Sequence, residues 1–221
     1  MFAVIFDMDG TLVDSADLAV EAAWRGLRDY CRDQGMPVVL PSRRQVVSLL
    51  GMPSLEYFAG LLPEGRSADA VLLRNLVGRW EAALLEGGEG RLFPGTEEVF
   101  AMIGLRGWKT ALVSNCGRDY FDPCLVHLGL GERFEVARCL DDGPSKSANV
   151  AEALRALGAT RGVMVGDRRG DIEAGRANGL KTVAVLHGYG AAEELGVADA
   201  QVADLSELPA VLVRLAEAAT A

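Results

Sequence analysis

Two carboxylates separated by a single residue follow directly on an apolar run, in Val4-Ile5-Phe6-Asp7-Met8-Asp9-Gly10-Thr11. Side chains alternate along an extended chain, so Asp7 and Asp9 are expected on the same side of it. Carboxylates that close repel, and one keeps its proton unless a divalent cation or a lysine offsets the charge. Such a pair invites Mg2+ and a division of labour between the two acids. Gly10 allows a tight backbone turn, and Thr11 offers a hydroxyl and an N–H to an anion. Alone, this motif also occurs as a solvated turn, so its weight depends on what accompanies it.

Three further groups accompany it, each where an apolar run gives way to a helical pattern. Ser114 and Asn115 end the run Ala111-Leu112-Val113, and a hydroxyl and an amide there can donate to phosphoryl oxygens. Lys146 opens a helical pattern after Asp141-Asp142-Gly143-Pro144-Ser145, where a cation can neutralise both carboxylates and a bound phosphate. Gly166-Asp167-Arg168-Arg169-Gly170-Asp171 ends another run, with Asp167 able to reach a cation directly. Asp171 falls on the same side of the first helical turn, as a second metal ligand or as a group that orients its neighbours. Helix capping is the plain alternative for Ser114-Asn115, a solvated charge for Lys146, and dipole complementarity for Asp171. The candidate phosphate-binding set is thus Gly10, Ser114, Asn115 and Lys146, and the candidate metal set Asp7, Asp9 and Asp167 with Asp171 beside them.

The elements that must hold these residues are short β-branched runs at 4–7, 111–114, 162–167 and 182–187, each reading as a buried parallel strand. Helical patterns at 97–106, 118–128, 147–157 and 171–178 separate them. Strand and helix in alternation predict an α/β fold, a Rossmann-like doubly wound parallel sheet, whose ligand crevice lies at the carboxyl ends of the strands. Residues 15–90 break that rhythm with helical stretches at 16–31, 44–50, 55–62 and 68–85. They predict a small α-helical insertion, leaving 1–14 plus 91–221 as the core. Trp24 and Trp80 read as buried anchors of that bundle. Gly87-Gly88-Glu89-Gly90 and Phe93-Pro94-Gly95 read as a flexible return to the core, with Thr96 as helix N-cap.

Half of the 221 residues are apolar and the net charge is -9. That balance argues against a nucleic-acid polymer or an anionic membrane surface as partner and for a small molecule. No apolar run approaches the ~20 residues of a membrane span, and the start lacks the basic region of a signal peptide. The four cysteines show no zinc spacing and read as reduced thiols, which fits a cytoplasmic protein.

Taken together, the motifs resemble the haloacid dehalogenase superfamily. FDMDGTLVDS is similar to its first motif almost letter for letter, Ser114 fits the second, Lys146 the third, and Asp167 with Asp171 the fourth. A helical insertion behind the first motif is similar to the cap of its subfamily I, and the stretch from Gly179 to Leu195 resembles the phosphoglycolate phosphatase branch. The resemblance implies a Mg2+-dependent phosphatase acting on a small phosphomonoester of phosphoglycolate type. By it Asp7 is nucleophile, Asp9 acid and then base, Lys146 a catalytic cation, and the Asp9 carbonyl a metal ligand beside Asp7 and Asp167. It leaves monomer and homodimer both open. Arg168 departs from the branch, which often has Ser or Thr there, and its guanidinium is expected in solvent. Arg43, Arg44 and the Gly51-Met52-Pro53 turn are weak candidates for substrate contacts, and His127 and His187 are expected to be structural. A sugar phosphomutase of the same superfamily shares every core motif. A receiver-like phospho-acceptor, which also uses an Asp cluster, a hydroxyl and a lysine, is the alternative outside enzymes.

Overall fold

Phe2–Phe6 form strand β1, fully buried along its length, and its alternation divides the core in two. Phe2, Val4 and Phe6 join one apolar cluster, while Ala3 and Ile5 join another on the opposite face. A strand buried on both faces needs this unbroken apolar run. The computed structural model describes residues 1–218. After β1 come β2 (Val13–Asp14), α1 (Ala16–Asp33), α2 (Arg43–Leu49), α3 (Ser54–Leu61), α4 (Ala70–Glu86) and β3 (Arg91–Leu92). There follow α5 (Thr96–Leu105), β4 (Lys109–Val113), α6 (Arg118–His127), β5 (Val136–Arg138), α7 (Lys146–Leu157) and β6 (Arg161–Gly166). The remainder is α8 (Arg169–Ala177), β7 (Lys181–Val185), α9 (Ala192–Leu195), β8 (Ala200–Val202) and α10 (Leu208–Ala218).

The main sheet runs β5-β4-β1-β6-β7-β8, and every pairing in it is parallel. The chain builds outward from β1 through β4 and β5, then returns to the other side of β1 for β6, β7 and β8. That reversal makes a doubly wound α/β sheet of Rossmann-like form, as the strand and helix alternation predicts, and opens a crevice at the carboxyl ends of β1, β4 and β6. Helices α5, α6 and α10 cover one face, and α7 and α8 the other.

Helices α1 to α4 pack around an apolar cluster of their own that includes Leu27, Tyr30, Phe58, Leu73 and Val77. Helices α1 and α4 approach closely at Gly26, where an added Cβ would lie 3.0 Å from the Val77 Cα. Trp24 and Trp80 are both partly buried against this cluster, donating to the Pro41 carbonyl and to Asp29, each at 2.8 Å. The return to the sheet carries a short strand between its two glycine-bearing stretches. Asp14 and Val13 pair antiparallel with Arg91 and Leu92, so the two crossings form a small ribbon, reinforced by an Arg91–Asp14 ion pair at 2.6 Å. Thr96 is not the N-cap of α5 but its first residue. Gly95 caps the helix at φ 90°, and the Thr96 hydroxyl donates to the Phe93 carbonyl at 2.7 Å.

Candidate active site

The carboxyl end of β1 carries Asp7, whose N–H extends the sheet by donating to the Val165 carbonyl at 2.9 Å. The chain then folds back at once. Leu12 and Val13 both donate to the Met8 carbonyl at 2.9 Å, and Gly10 donates to the Val13 carbonyl at 2.9 Å. Gly10 sits at φ 78°, a region costly for any residue with a Cβ. A Cβ there would also collide with the Asp167 carboxylate and lie 2.9 Å from the Tyr189 ring. Its amide being engaged, Gly10 acts on the site by letting the loop close against Asp167.

Five of the residues singled out from sequence converge here. Lys146, the first residue of α7 behind an N-cap made by the Ser145 hydroxyl, bonds both Asp7 and Asp171 through its ammonium. Asp167, at the end of β6, accepts the Tyr189 N–H at 2.6 Å, and the Thr11 hydroxyl lies 3.4 Å from both Asp7 and Asp167. Ligand oxygens of Asp7, Asp167 and Asp171 all lie within 4.8 Å of one another, and all three residues are buried. Asp171 also accepts the Arg168 N–H at 2.9 Å, so its two oxygens cap α8 and hold Lys146.

Burial pushes the Asp7 carboxyl well above the usual range. Lys146 opposes that shift, while Asp171 and Asp167 add to it. Burial and the nearby Asp171 likewise push Asp167 up to about 7. Lys146 is held in its charged form by Asp171 and Asp7 despite its own desolvation. One ammonium among three buried carboxyls leaves the cluster short of positive charge. An all-oxygen donor set that would relax on gaining a cation fits a hard divalent ion such as Mg2+.

Asp9 stands apart from that cluster. Its carboxylate accepts the Tyr120 hydroxyl at 2.8 Å, and burial raises its pKa while the Ser15 and Tyr120 hydrogen bonds lower it. Ser114, at the end of β4, accepts the Cys116 N–H at 3.2 Å and lines the same cavity as Asp7 and Asp9. Asn115 lines it too, but its side-chain amide donates to the Gly51 carbonyl at 3.1 Å and its backbone carbonyl accepts the Ser54 N–H at 3.2 Å. It therefore joins the sheet ends to the helices above them.

Arg168 contradicts the expectation of a solvent-facing side chain. Only 18% exposed, it donates to the Ser48 carbonyl at 3.1 Å and to the Leu50 carbonyl, gripping the end of α2. Two backbone acceptors at a helix end outcompete water for this guanidinium. Gly51 and Met52 line the cavity, whereas Arg43 pairs with Asp17 at 2.6 Å on the surface. His187 packs on Phe93 with ring centres 4.2 Å apart and lies 3.2 Å from the Thr11 carbonyl, a structural place behind the loop. All four cysteines are free thiols.

Sequence reasoning missed Tyr120, Ser15 and Tyr189. The Tyr189 hydroxyl accepts the Ser15 N–H at 2.8 Å, tying the start of α1 to the segment behind Asp167. A tyrosine in the first turn of α6, directly after Ser114-Asn115, was the available signal for the Asp9 partner.

Residues 4–185 match the family model described as haloacid dehalogenase-like hydrolase. A plasmid-encoded phosphoglycolate phosphatase of Cupriavidus necator is 35% identical, over 98% of this chain and 96% of that protein. An N-acetylmuramic acid 6-phosphate phosphatase of Pseudomonas aeruginosa is 31% identical, over 85% of this chain and 82% of its own length. Among solved structures, a predicted phosphoglycolate phosphatase from Haemophilus somnus 129PT superposes with a TM-score of 0.80 at 20% identity, over 95% of this chain and 96% of that one. That last likeness concerns the fold.

Proposed function

Since the chain belongs to the haloacid dehalogenase-like hydrolase family, we propose that it is a Mg2+-dependent phosphatase working through an aspartyl-phosphate on Asp7. It is a phosphoric monoester hydrolase, and its substrate is a small phosphorylated molecule. The observation that carries the mechanism is the buried cluster of Asp7, Asp167 and Asp171 around a single lysine.

In this reading Asp7, Asp167 and the Asp9 carbonyl hold the Mg2+, and Asp171 supports them by holding Lys146. When bound, the ion offsets charge among the carboxylates and on the phosphoryl oxygens. Asp7 attacks phosphorus in line, and the leaving alkoxide takes the proton of Asp9. Asp9 then removes a proton from water, which hydrolyses the acyl phosphate and restores both acids. Tyr120 keeps the Asp9 carboxyl aimed during both transfers. Ser114 and Lys146 supply fixed positive dipole and charge to the transferring group, where preorganised donors act more strongly than water. Residues 15–90 act as a cap over a core made of 1–14 plus 91–221, excluding bulk water and reading the leaving group. Four free thiols suit a cytoplasmic setting.

Phosphate release from a panel of small phosphomonoesters, with Mg2+ and with EDTA, tests this reading. Release that EDTA abolishes supports it. Transfer of label to a second phosphorylated product would favour a mutase, and a stable phosphoprotein without turnover a phospho-acceptor. The branch resemblance makes 2-phosphoglycolate the comparison substrate, although the lining of the cavity argues for a different leaving group.

A further inference from the structure

From Asp7 and Asp9 the cavity runs up between the sheet ends and the helices, where Tyr57 of α3 and Glu81 of α4 line it. Both are nearly inaccessible, at 7% and 6% exposure. The Tyr57 hydroxyl has no hydrogen-bond partner, an unfavourable state for a buried donor that a bound group would relieve. Among the described residues no lysine, arginine or histidine lines this cavity, whereas Asp7, Asp9, Glu81 and Asp119 all do. Arg74, beside Asp119, has its guanidinium committed to Asp119 and Asp141. Burial pushes the Glu81 carboxyl up to about 8, with Asp119 and Asp9 adding to the effect and Arg74 opposing it. At neutral pH Glu81 therefore carries a proton and can both donate and accept.

The consequences for a leaving group are direct. A carboxylate entering here would be desolvated beside acidic groups with no cation to meet it. An ammonium would be drawn to the acidic lining, but it has donors only and leaves the Tyr57 proton unpaired. A hydroxyl both accepts and donates, and so completes Tyr57 and Glu81 together. The cavity, which also takes in the phosphoryl position at Asp7, Asp9 and Ser114, has a volume of about 60 Å³, against ~10–15 Å³ needed for one water, so only a small substrate fits. We infer that Tyr57 and Glu81 form a specificity subsite for an uncharged, hydroxyl-bearing leaving group, and that this chain discriminates against a carboxylate-bearing one. The inference rests on the phosphatase reading above and narrows its substrate to small polyol monophosphates.

The test compares sn-glycerol 3-phosphate, 2-phosphoglycolate and O-phosphoethanolamine at pH 7 with Mg2+, for the wild type, Tyr57→Phe, Glu81→Leu and Glu81→Gln. The expected result is a kcat/KM for glycerol 3-phosphate roughly tenfold or more above the other two, the scale of one satisfied hydrogen bond against an unpaired buried charge. Tyr57→Phe and Glu81→Leu should each raise KM for glycerol 3-phosphate roughly tenfold with a smaller change in kcat, and Glu81→Gln, which keeps a donor and an acceptor, should restore it. Tyr57→Phe removes a single unpartnered oxygen, so its result stands even if Glu81→Leu fails to fold. Equal or better use of 2-phosphoglycolate or phosphoethanolamine would overturn the inference while leaving the phosphatase reading intact. Failure to release phosphate from all three and from p-nitrophenyl phosphate would bring down that reading, and this one with it.

Discussion

Arg74→Met is expected to loosen the proposed helical cap without touching the reacting groups. Arg74 Nη2 lies 2.9 Å from Asp119 Oδ1 and 2.7 Å from Asp141 Oδ2, joining α4 to α6 and to the segment before α7. The arginine side chain is 20% exposed and the aspartates 35% and 38%, so solvent screens both pairs. Each is then worth ~0.5–1 kcal/mol, and the two together favour the closed arrangement by ~1–2 kcal/mol, a factor of ~5–30. Under the proposed cap mechanism substrate enters with the cap open and reacts with it closed, so closure adds to binding, and KM should rise by up to that factor while kcat changes little. The methionine keeps the apolar stem and removes only the charge. Salt gives an internal control: between about 0.1 and 1 M the screening length falls from ~10 to ~3 Å, so wild-type KM should climb toward that of the variant, whose own KM stays flat. Initial rates of phosphate release at saturating Mg2+ provide the numbers. An unchanged KM, or equal salt dependence in both proteins, would refute the idea that these ion pairs hold the cap.

Mg2+ should raise the melting temperature of the wild type, with ~2.7 kcal/mol of added stability at a hundred times its Kd, and Asp167→Asn should lose most of that gain in calorimetry. An undiminished gain in the variant would remove Asp167 from the metal site. Metal-free protein should lose stability as pH rises. The folded-state pKa of Glu81 is raised from 4.5 to about 8, so its favourable contribution is complete below 4.5 and disappears as pH climbs through 8. The range is at most ~5 kcal/mol. Urea unfolding in EDTA should therefore show a shallower decline from pH 5 to pH 9 for Glu81→Gln, and parallel curves would contradict the buried acid. Gly10→Ala, forced into φ 78° against Asp167, should depress turnover far more than it depresses the melting temperature, and near wild-type kcat would show that the loop tolerates a Cβ.

What the sequence made legible lies at strand ends. Asp7, Ser114, Lys146 and Asp167 each follow or open an element whose apolar run or cap is local, so their convergence followed once the sheet was recognised as parallel. The edge strands β5 and β8 have three residues each, too few for a periodic signal, and the β2–β3 ribbon has two residues a side. The partners that tune the site were hidden for a different reason. Tyr120 meets Asp9 across 111 positions and Tyr189 meets Ser15 across 174, contacts set by packing between elements rather than by any local pattern. Arg168 is not legible from sequence because its acceptors are backbone carbonyls of α2 and the residue beyond it, which no side-chain code announces.

The proposed mechanism stands or falls with Asp7 as nucleophile. Enzyme quenched during turnover of a phosphomonoester and reduced with borohydride converts an aspartyl-phosphate to homoserine, which peptide mass spectrometry locates. With Asp7 as nucleophile, homoserine is expected at position 7 and unmodified aspartate at position 9. Homoserine at position 9, or none at either position in enzyme that is visibly releasing phosphate, would contradict it.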